Sequence, residues 1–161
     1  MSKIKKIAIV GLGQIGNYLY HTLTQKKKLI ENKSGKKIKI AAISAKNKNK
    51  RRPFKIDKKI FYSNPIKILQ NENIDVLFEC IGLSDGISKK IVEMALKKKI
   101  SVITPNKALI AKHGDYLAKL AEKNKVSLEF EASVAGGIPI LRTIKDGLAT
   151  NKLNKVFGIL N

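Results

Sequence analysis

The sequence predicts an α/β fold built on a doubly wound parallel sheet, and three observations lead to that class. An apolar run at residues 7–10 leads into a Gly-x-Gly-x-x-Gly motif and then into residues 17–25, whose apolar positions recur at helical spacing. Strand-like apolar runs and amphipathic stretches then alternate along the chain. At 161 residues, the chain is long enough for one well-buried domain, or for one domain and the beginning of another.

The glycine motif predicts the phosphate-binding turn of a Rossmann-type fold. Gly11 permits a sharp turn, Gly13 lets a pyrophosphate approach the backbone, and Gly16 lets the first helix pack closely on the strand. Amides at the helix N-terminus then face the phosphates. The alternative is a plain tight turn without a ligand. The candidate cofactor-binding residues of this turn are Gly11, Leu12, Gly13, Gln14, Ile15 and Gly16.

The residues after the second predicted strand, at 38–43, indicate which dinucleotide binds. An acid at this position commonly accepts a hydrogen bond from the ribose 2′-hydroxyl. No acid occurs between Glu31 and Asp57, and residues 44–52 are strongly basic, with Lys46 among them. Such a segment favours an anionic 2′-phosphate, so we predict NADP, with NAD possible. The alternative is a basic loop without a ligand.

The middle of the chain continues the alternation, and two of its residues could carry chemistry. Glu79 lies in a predicted interior strand and is either functional or a buried acid satisfied by backbone amides. Cys80 is interpreted as small core filling rather than as a reactive thiol. The predicted elements are strand 60–62, helix 65–71, strand 75–80, helix 86–98 and strand 100–103.

Lys107 stands out in the segment that follows strand 100–103. Thr104 and Pro105 are typical of a helix start, which places Lys107 in the first turn, against the positive end of the helix dipole. A cation in that position suggests a function, and an ammonium beside the ligand crevice can exchange a proton with a substrate oxygen. The helix is predicted to end at His113 and Gly114, with His113 as a cap or surface residue.

The last part of the chain departs from the regular alternation after residue 131. A helix at 115–124 and a strand at 126–131 complete the first domain, residues 1–131. Small residues and paired glycines then predict a tight backbone excursion, followed by a helix at 139–148 and a strand at 153–160.

The charge of the chain raises the question of nucleic-acid binding. Lysine and arginine total 33 against 12 acids, a net charge of +21, but aromatic residues make up only 6%. The lysines are spread along the chain and the only arginines are Arg51, Arg52 and Arg142, a pattern that favours solvated lysine surfaces over specific nucleic-acid recognition. The single cysteine, the lack of a signal-peptide pattern and the lack of a membrane-length apolar run favour the cytoplasm and exclude a membrane partner.

Taken together, these motifs resemble homoserine dehydrogenase. The likeness runs in one collinear order over nearly the whole chain and is weakest at residues 26–59. The motifs that carry it are Thr-Pro-Asn-Lys-Ala-Leu at 104–109, His-Gly at 113–114, residues 131–139, Leu-Arg-Thr at 141–143, and Gly-Ile-Leu-Asn at 158–161.

The resemblance implies NAD(P)-dependent interconversion of L-aspartate 4-semialdehyde and L-homoserine, in the branch leading to threonine and methionine. Lys107 matches a lysine of proton transfer and cofactor contact, Thr104 matches a nucleotide contact, and Lys46 resembles the residue that holds the 2′-phosphate. The residues that match a site for a monovalent cation, sodium or potassium, are Glu131, Val134, Gly136 and Ile138.

Family members continue well past Asn161 into an α+β substrate and dimerisation domain, and the resemblance makes residues 132–161 the start of that domain. The chain therefore resembles an amino-terminal fragment of a homo-oligomeric enzyme that acts on a small molecule. Activity of the fragment alone is not expected. Two alternatives remain at this point. One is another two-domain Rossmann oxidoreductase, of the aspartate or sugar dehydrogenase type. The other is a non-enzymatic basic module that binds a nucleotide or a nucleic acid.

Overall fold

A computed structural model describes residues 4–158 as a six-stranded parallel sheet flanked by helices. The strands are β1 (Lys5–Val10), β2 (Ile38–Ser44), β3 (Phe61–Tyr62), β4 (Val76–Glu79), β5 (Ser101–Ile103) and β6 (Leu128–Glu129). The helices are α1 (Gln14–Gln25), α2 (Lys27–Ser34), α3 (Pro65–Asn71), α4 (Ile87–Lys97), α5 (Lys107–Lys123) and α6 (Ile140–Arg142). The predicted α/β fold class is thereby confirmed.

The strand order is β3-β2-β1-β4-β5-β6, and every adjacent pair is parallel. The chain moves outward from β1 to β3, then returns to the other side of β1 and moves outward again. The carboxyl ends of β1 and β4 therefore flank the point at which the strand order reverses, where ligands bind in open α/β sheets.

Alternating residues of β1 show the two packed layers of the domain. Ala8 and Val10 lie in the larger buried cluster, with Ile91 of α4 among its members. Ile9 lies in the other cluster, together with Tyr20 of α1. Because successive side chains of a strand point to opposite faces, β1 is covered on both faces, as its continuous apolar run requires.

Two helices differ from the sequence prediction. Residues 26–37 were expected to form only a polar connection, but α2 occupies most of them and ends at Gly35, whose φ of 67° supplies a left-handed C-cap. The helix expected to stop at Gly114 continues as α5, because Leu109, Leu117 and Ala121 keep one buried face in register across that glycine. In the part of the chain that the structure describes, none of the helices has the length and apolar character to span a membrane.

The end of the chain departs further from the prediction. The helix expected at 139–148 becomes α6 and a π-helical turn, Thr143–Gly147. The strand expected at 153–160 is absent from its described part, residues 153–158, because no backbone neighbour pairs with it there; residues 159–161 lie outside the described range. Val156 and Phe157 are accordingly 75% and 87% exposed. The proposed boundary at residue 131 stays a prediction.

Candidate functional site

The glycine turn joins β1 to α1 in a geometry that only glycine fits at two positions. Gly11 has a φ of +93°, and a Cβ there would lie 2.5 Å from the carbonyl of Cys80. A Cβ on Gly16 would lie 1.9 Å from the carbonyl oxygen of Gly11. Around Gly13, by contrast, nothing lies within 4 Å of the Cβ position. The turn is therefore tightly packed on the protein side and open on the side where a ligand would approach.

A cavity of about 910 Å³ opens beside this turn, at the carboxyl ends of the central strands. Three segments supply most of its lining, and Ser63, Pro65 and Ile87 complete it. The glycine turn contributes residues 10–13, the segment after β2 contributes most of residues 44–52, and the segment after β4 contributes Cys80, Ile81 and Leu83. The sequence-predicted positions Gly11, Leu12, Gly13 and Lys46 thus come together around one cavity, whereas Gln14, Ile15, Gly16, Thr104 and Lys107 do not line it.

The segment after β2 gives this cavity a positive wall. Lys46 is exposed and lines only this cavity. Lys48, Lys50 and Arg52 line both this cavity and a neighbouring one of about 880 Å³. The guanidinium of Arg52 donates hydrogen bonds to the carbonyl oxygens of Asn47, at 2.7 Å, and Lys50, at 3.0 Å. Arg52 therefore shapes the loop, whereas Lys46 lines only the cavity beside the glycine turn.

Glu79 is buried at the end of β4 and accepts hydrogen bonds from two segments. The amide of Ile81 donates to it at 2.8 Å, as expected for an acid satisfied by backbone amides. The Thr104 hydroxyl also donates to it, at 2.6 Å, and so does the Asn106 side-chain amide, at 3.3 Å. Sequence reasoning missed Asn106, although an Asn three residues before a buried Leu109 is a recognisable helix cap.

Lys107 is the first residue of α5 and so lies in the first turn, where the sequence predicted it. The residue is exposed. The cap residue is Asn106 rather than Thr104, because the Asn106 side-chain oxygen accepts from the Leu109 amide at 3.1 Å. Thr104 is 1% exposed, and its hydroxyl both donates to Glu79 and accepts from the Asn106 amide. The hydroxyl of Thr104 is therefore occupied by this buried network, and Thr104 does not line the cavity.

A second polar cluster lies on α5, one and a half turns further along. Lys112 and His113 contact the two carboxylate oxygens of Asp85 at 2.7 Å and 2.9 Å, and the hydroxyl of Ser84 donates to the same carboxylate at 2.8 Å. These contacts hold the pKa of Asp85 well below its usual range, and the hydrogen bond from Lys112 has the largest effect. His113, expected as a cap, instead joins α5 to the segment between β4 and α4.

Cys80 lies in the wall of the cavity, but its environment disfavours the reactive thiolate. Burial, followed by the nearby charge of Glu79, raises the pKa of the thiol to about 12. The thiolate is the nucleophilic form, so an inert thiol is consistent with the predicted packing role.

The residues expected to hold a monovalent cation lie after β6. The carboxylate of Glu131 accepts hydrogen bonds from the amides of Leu141, at 3.0 Å, and Arg142, at 3.1 Å, and so caps α6. Val134, Gly136 and Ile138 follow in a turn in which the neighbouring Ala135 has a φ of 48°. Among residues 4–158, no group of three or more His, Cys, Asp or Glu side chains could hold a metal ion. A cation here would therefore depend on main-chain oxygens in addition to the Glu131 carboxylate.

A parallel sheet in this strand order, with a glycine turn and a cavity at its switch point, defines a dinucleotide-binding domain of the Rossmann type. Residues 11–131 match the family described as "Homoserine dehydrogenase, NAD binding domain". The chain belongs to the homoserine dehydrogenase family, and its matched part is the portion that binds the nicotinamide dinucleotide.

Individual relatives agree with this assignment. The chain is 34% identical over 155 residues to a homoserine dehydrogenase of Neisseria gonorrhoeae, covering 96% of the chain and 35% of that protein. It is 31% identical over 159 residues to one of Bacillus subtilis, covering 99% of the chain and 36% of that protein. The chain thus spans about a third of the length of the curated relatives it matches.

Solved structures of the family share the fold. The homoserine dehydrogenase of Thiobacillus denitrificans superposes with a TM-score of 0.80 at 28% identity, covering 93% of this chain and 34% of that one. The enzyme of S. aureus superposes with a TM-score of 0.76 at 35% identity, covering 83% and 34%.

Proposed function

We propose that this chain binds NADP(H) in preference to NAD(H), as the cofactor-binding portion of an enzyme that interconverts L-aspartate 4-semialdehyde and L-homoserine. The observation that carries the proposal is the 910 Å³ cavity, which joins the open face of the glycine turn to a segment after β2 that contains lysines and no acid. A 2′-phosphate would find a cation there, whereas a 2′-hydroxyl would find no carboxylate to accept its hydrogen bond.

The cavity suggests a division of roles among the candidate residues. Gly11, Leu12 and Gly13 would face the pyrophosphate with their main chain, and Lys46 would pair with the 2′-phosphate. Gln14, Ile15 and Gly16 form the first turn of α1, whose amides and dipole favour an anion at that end. This assignment rests on the open space at Gly13 and on the position of Lys46 in the cavity wall.

Lys107 is the proposed catalytic residue of this portion. When bound, the reduced nicotinamide supplies a hydride for the aldehyde carbon. The exposed ammonium of Lys107, fixed at the start of α5, would donate a proton to the oxygen that gains negative charge in that step. A further domain would bind the substrate and provide the remaining catalytic groups. The relatives are long enough to contain such a domain, because the chain matches only about a third of their length.

A monovalent cation, sodium or potassium, is proposed at the turn after β6. Glu131 would supply the carboxylate, and Val134, Gly136 and Ile138 would supply main-chain oxygens, the hard ligands that such ions prefer. Both Glu131 oxygens already accept amide hydrogen bonds, so the carboxylate is fixed in place and each oxygen keeps a further acceptor site. The ion would stabilise the turn that leads into α6 and would take no part in bond making.

The remaining proposals concern the setting of the enzyme. We place it in the cytoplasm, since the chain has a single cysteine, Cys80, and no disulfide framework. The parent protein is proposed to be a homo-oligomer that serves threonine and methionine synthesis, without a specific nucleic-acid partner. The scatter of lysines and the 6% aromatic content support weak, salt-sensitive binding of polyanions only.

A fluorescence titration of the 161-residue chain with NADPH, NADH and a short DNA duplex tests the proposal at low and moderate salt. We expect NADPH to bind at least about tenfold more tightly than NADH, because one phosphate contact is lost with NADH. DNA binding should fall steeply as salt rises. Equal affinity for the two nucleotides at low salt would refute the NADP preference, and salt-steep DNA binding without NADPH binding would favour a polyanion-binding module instead.

A further inference from the structure

We propose that Glu79 is a positioning residue that couples the loop lining the cofactor cavity to the turn that carries Lys107. Glu79 is fully buried and does not line the cavity, so it is not placed to touch a ligand. Its two carboxylate oxygens face different segments of the chain. The consequence for catalysis rests on the proposed function, but the coupling itself does not.

One carboxylate oxygen serves the segment between β4 and α4. Oε1 accepts from the amide of Ile81 at 2.8 Å and lies 3.4 Å from the amide of Gly82. Ile81 and Leu83 of this segment line the cavity. Glu79 thereby fixes the backbone from which that wall of the cavity projects.

The other oxygen serves the turn between β5 and α5. Oε2 accepts from the Thr104 hydroxyl at 2.6 Å and from the Asn106 side-chain amide at 3.3 Å. Asn106 extends the connection, because the same amide group donates to the carbonyl oxygen of Leu83 at 2.8 Å while its oxygen caps α5 through Leu109. The cavity loop and the first turn of α5 are therefore held by one shared buried network.

The residue type matters because four donors converge on an acceptor-only group. A glutamine at position 79 could satisfy one pair of donors with its oxygen, but would turn its NH₂ group toward the other pair. The mismatch would leave buried donors without an acceptor, which costs more than the loss of one ordinary hydrogen bond. A side chain of the same shape but without two acceptor oxygens therefore cannot replace Glu79.

Amide hydrogen exchange in the 161-residue chain tests the coupling without any ligand. Thr104→Val removes the hydroxyl that donates to Glu79 from the β5–α5 turn. If Glu79 couples the two segments, amide exchange at Ile81 and Gly82, on the other segment, should accelerate by about tenfold or more. Thr104→Ser should restore the slow exchange. Thr143→Val is the matched control, since that hydroxyl donates to the Pro139 carbonyl outside the network.

Unchanged exchange at Ile81 and Gly82 in a folded Thr104→Val chain would overturn the proposal. If this variant fails to fold, the hydroxyl proton of Thr104 in the unmodified chain decides the matter by NMR. A hydroxyl proton that is protected from exchange and has a downfield chemical shift, as in a short hydrogen bond, supports the Glu79 network. A rapidly exchanging hydroxyl proton contradicts it.

Ligand binding then separates a positioning role from a general loss of structure. We expect Thr104→Val to weaken NADPH binding by about tenfold, while 2′,5′-ADP, which reaches only the glycine turn and the segment after β2, changes by less than about twofold. Equal weakening of both ligands, or of neither, contradicts the positioning role. If the unmodified chain binds no NADPH, the proposed function fails, whereas the exchange measurement still decides the coupling through Glu79.

Discussion

Gly16 packs directly on Gly11, so closely that a Cβ on Gly16 would lie 1.9 Å from the Gly11 carbonyl oxygen. The first turn of α1 therefore rests on the turn that ends β1. The contact brings the helix N-terminus up to the edge of the sheet where the strand order reverses. The glycine spacing is thus a packing requirement at Gly11 and Gly16, whereas the third position, Gly13, faces open space.

Gly16→Ala is expected to destabilise the fold by at least about 2 kcal/mol, because the added methyl group meets backbone rather than a movable side chain. Gly13→Ala is the matched control. Nothing lies within 4 Å of the Cβ position there, and φ is −75°, so its cost should stay below about 1 kcal/mol. Urea unfolding measures both, and equal destabilisation would contradict the assigned roles.

Gly13→Ala should also weaken ligand binding. The Gly13→Ala chain is expected to fold and to bind NADPH at least about tenfold more weakly, because its methyl group occupies the space through which a pyrophosphate approaches the backbone. A titration of the folded variant by NADPH fluorescence checks this. Undiminished affinity would show that the phosphates lie elsewhere.

The alternation of strands and helices was predictable because each element carries its own local signal. The β1 run, the Asn64–Pro65 helix start and the apolar face of α4 each depend on neighbours within a few residues. The errors fall where distant contacts override such signals. Gly114 reads as a stop, yet α5 continues because residues on both sides of it pack on the sheet.

Lys46→Ala is expected to weaken NADPH binding by about tenfold and to leave NADH binding nearly unchanged, because only NADPH carries the 2′-phosphate. Lys55→Ala removes the same charge from the neighbouring cavity, which Lys46 does not line, and should affect neither nucleotide by more than about twofold. Isothermal titration at one fixed ionic strength measures the differences. Equal losses for both variants would indicate a general charge effect.

The places of the candidate residues in the fold were predictable, but the hydrogen bonds that connect them were not. The glycine turn, Lys46 and the start of α5 follow from local motifs, and parallel topology then brings the first two together. The network of Glu79, Thr104 and Asn106 could not be predicted in the same way, because its hydrogen bonds join residues 25 and 27 positions apart. No local periodicity encodes such a contact.

Cys80 should resist alkylation in the folded chain. Because burial raises its pKa to about 12, the thiolate fraction at about pH 8 should be lower by more than about a hundredfold than for an unfolded cysteine, whose pKa is about 8.5. Iodoacetamide labelling followed by mass spectrometry measures the rate, with the urea-unfolded chain as reference. A folded labelling rate that levels off below about pH 9 would contradict the raised pKa.

The cluster around Asp85 should make stability depend on acid pH. Its contacts with Lys112, His113 and Ser84 lower the pKa of Asp85 below the unfolded value of about 3.9. The stabilisation is therefore present above that value and is lost as the pH falls toward the lowered folded pKa.

We expect Asp85→Asn to have a lower Tm than the unmodified chain near neutral pH, and we expect this difference in Tm to disappear in acid. Asp115→Asn, which breaks a pair exposed at both ends, serves as the control and should change Tm little at any pH. Thermal unfolding, followed by circular dichroism at several pH values, measures the difference in Tm. A difference that persists unchanged into strong acid would show that Asp85 acts by packing rather than by charge.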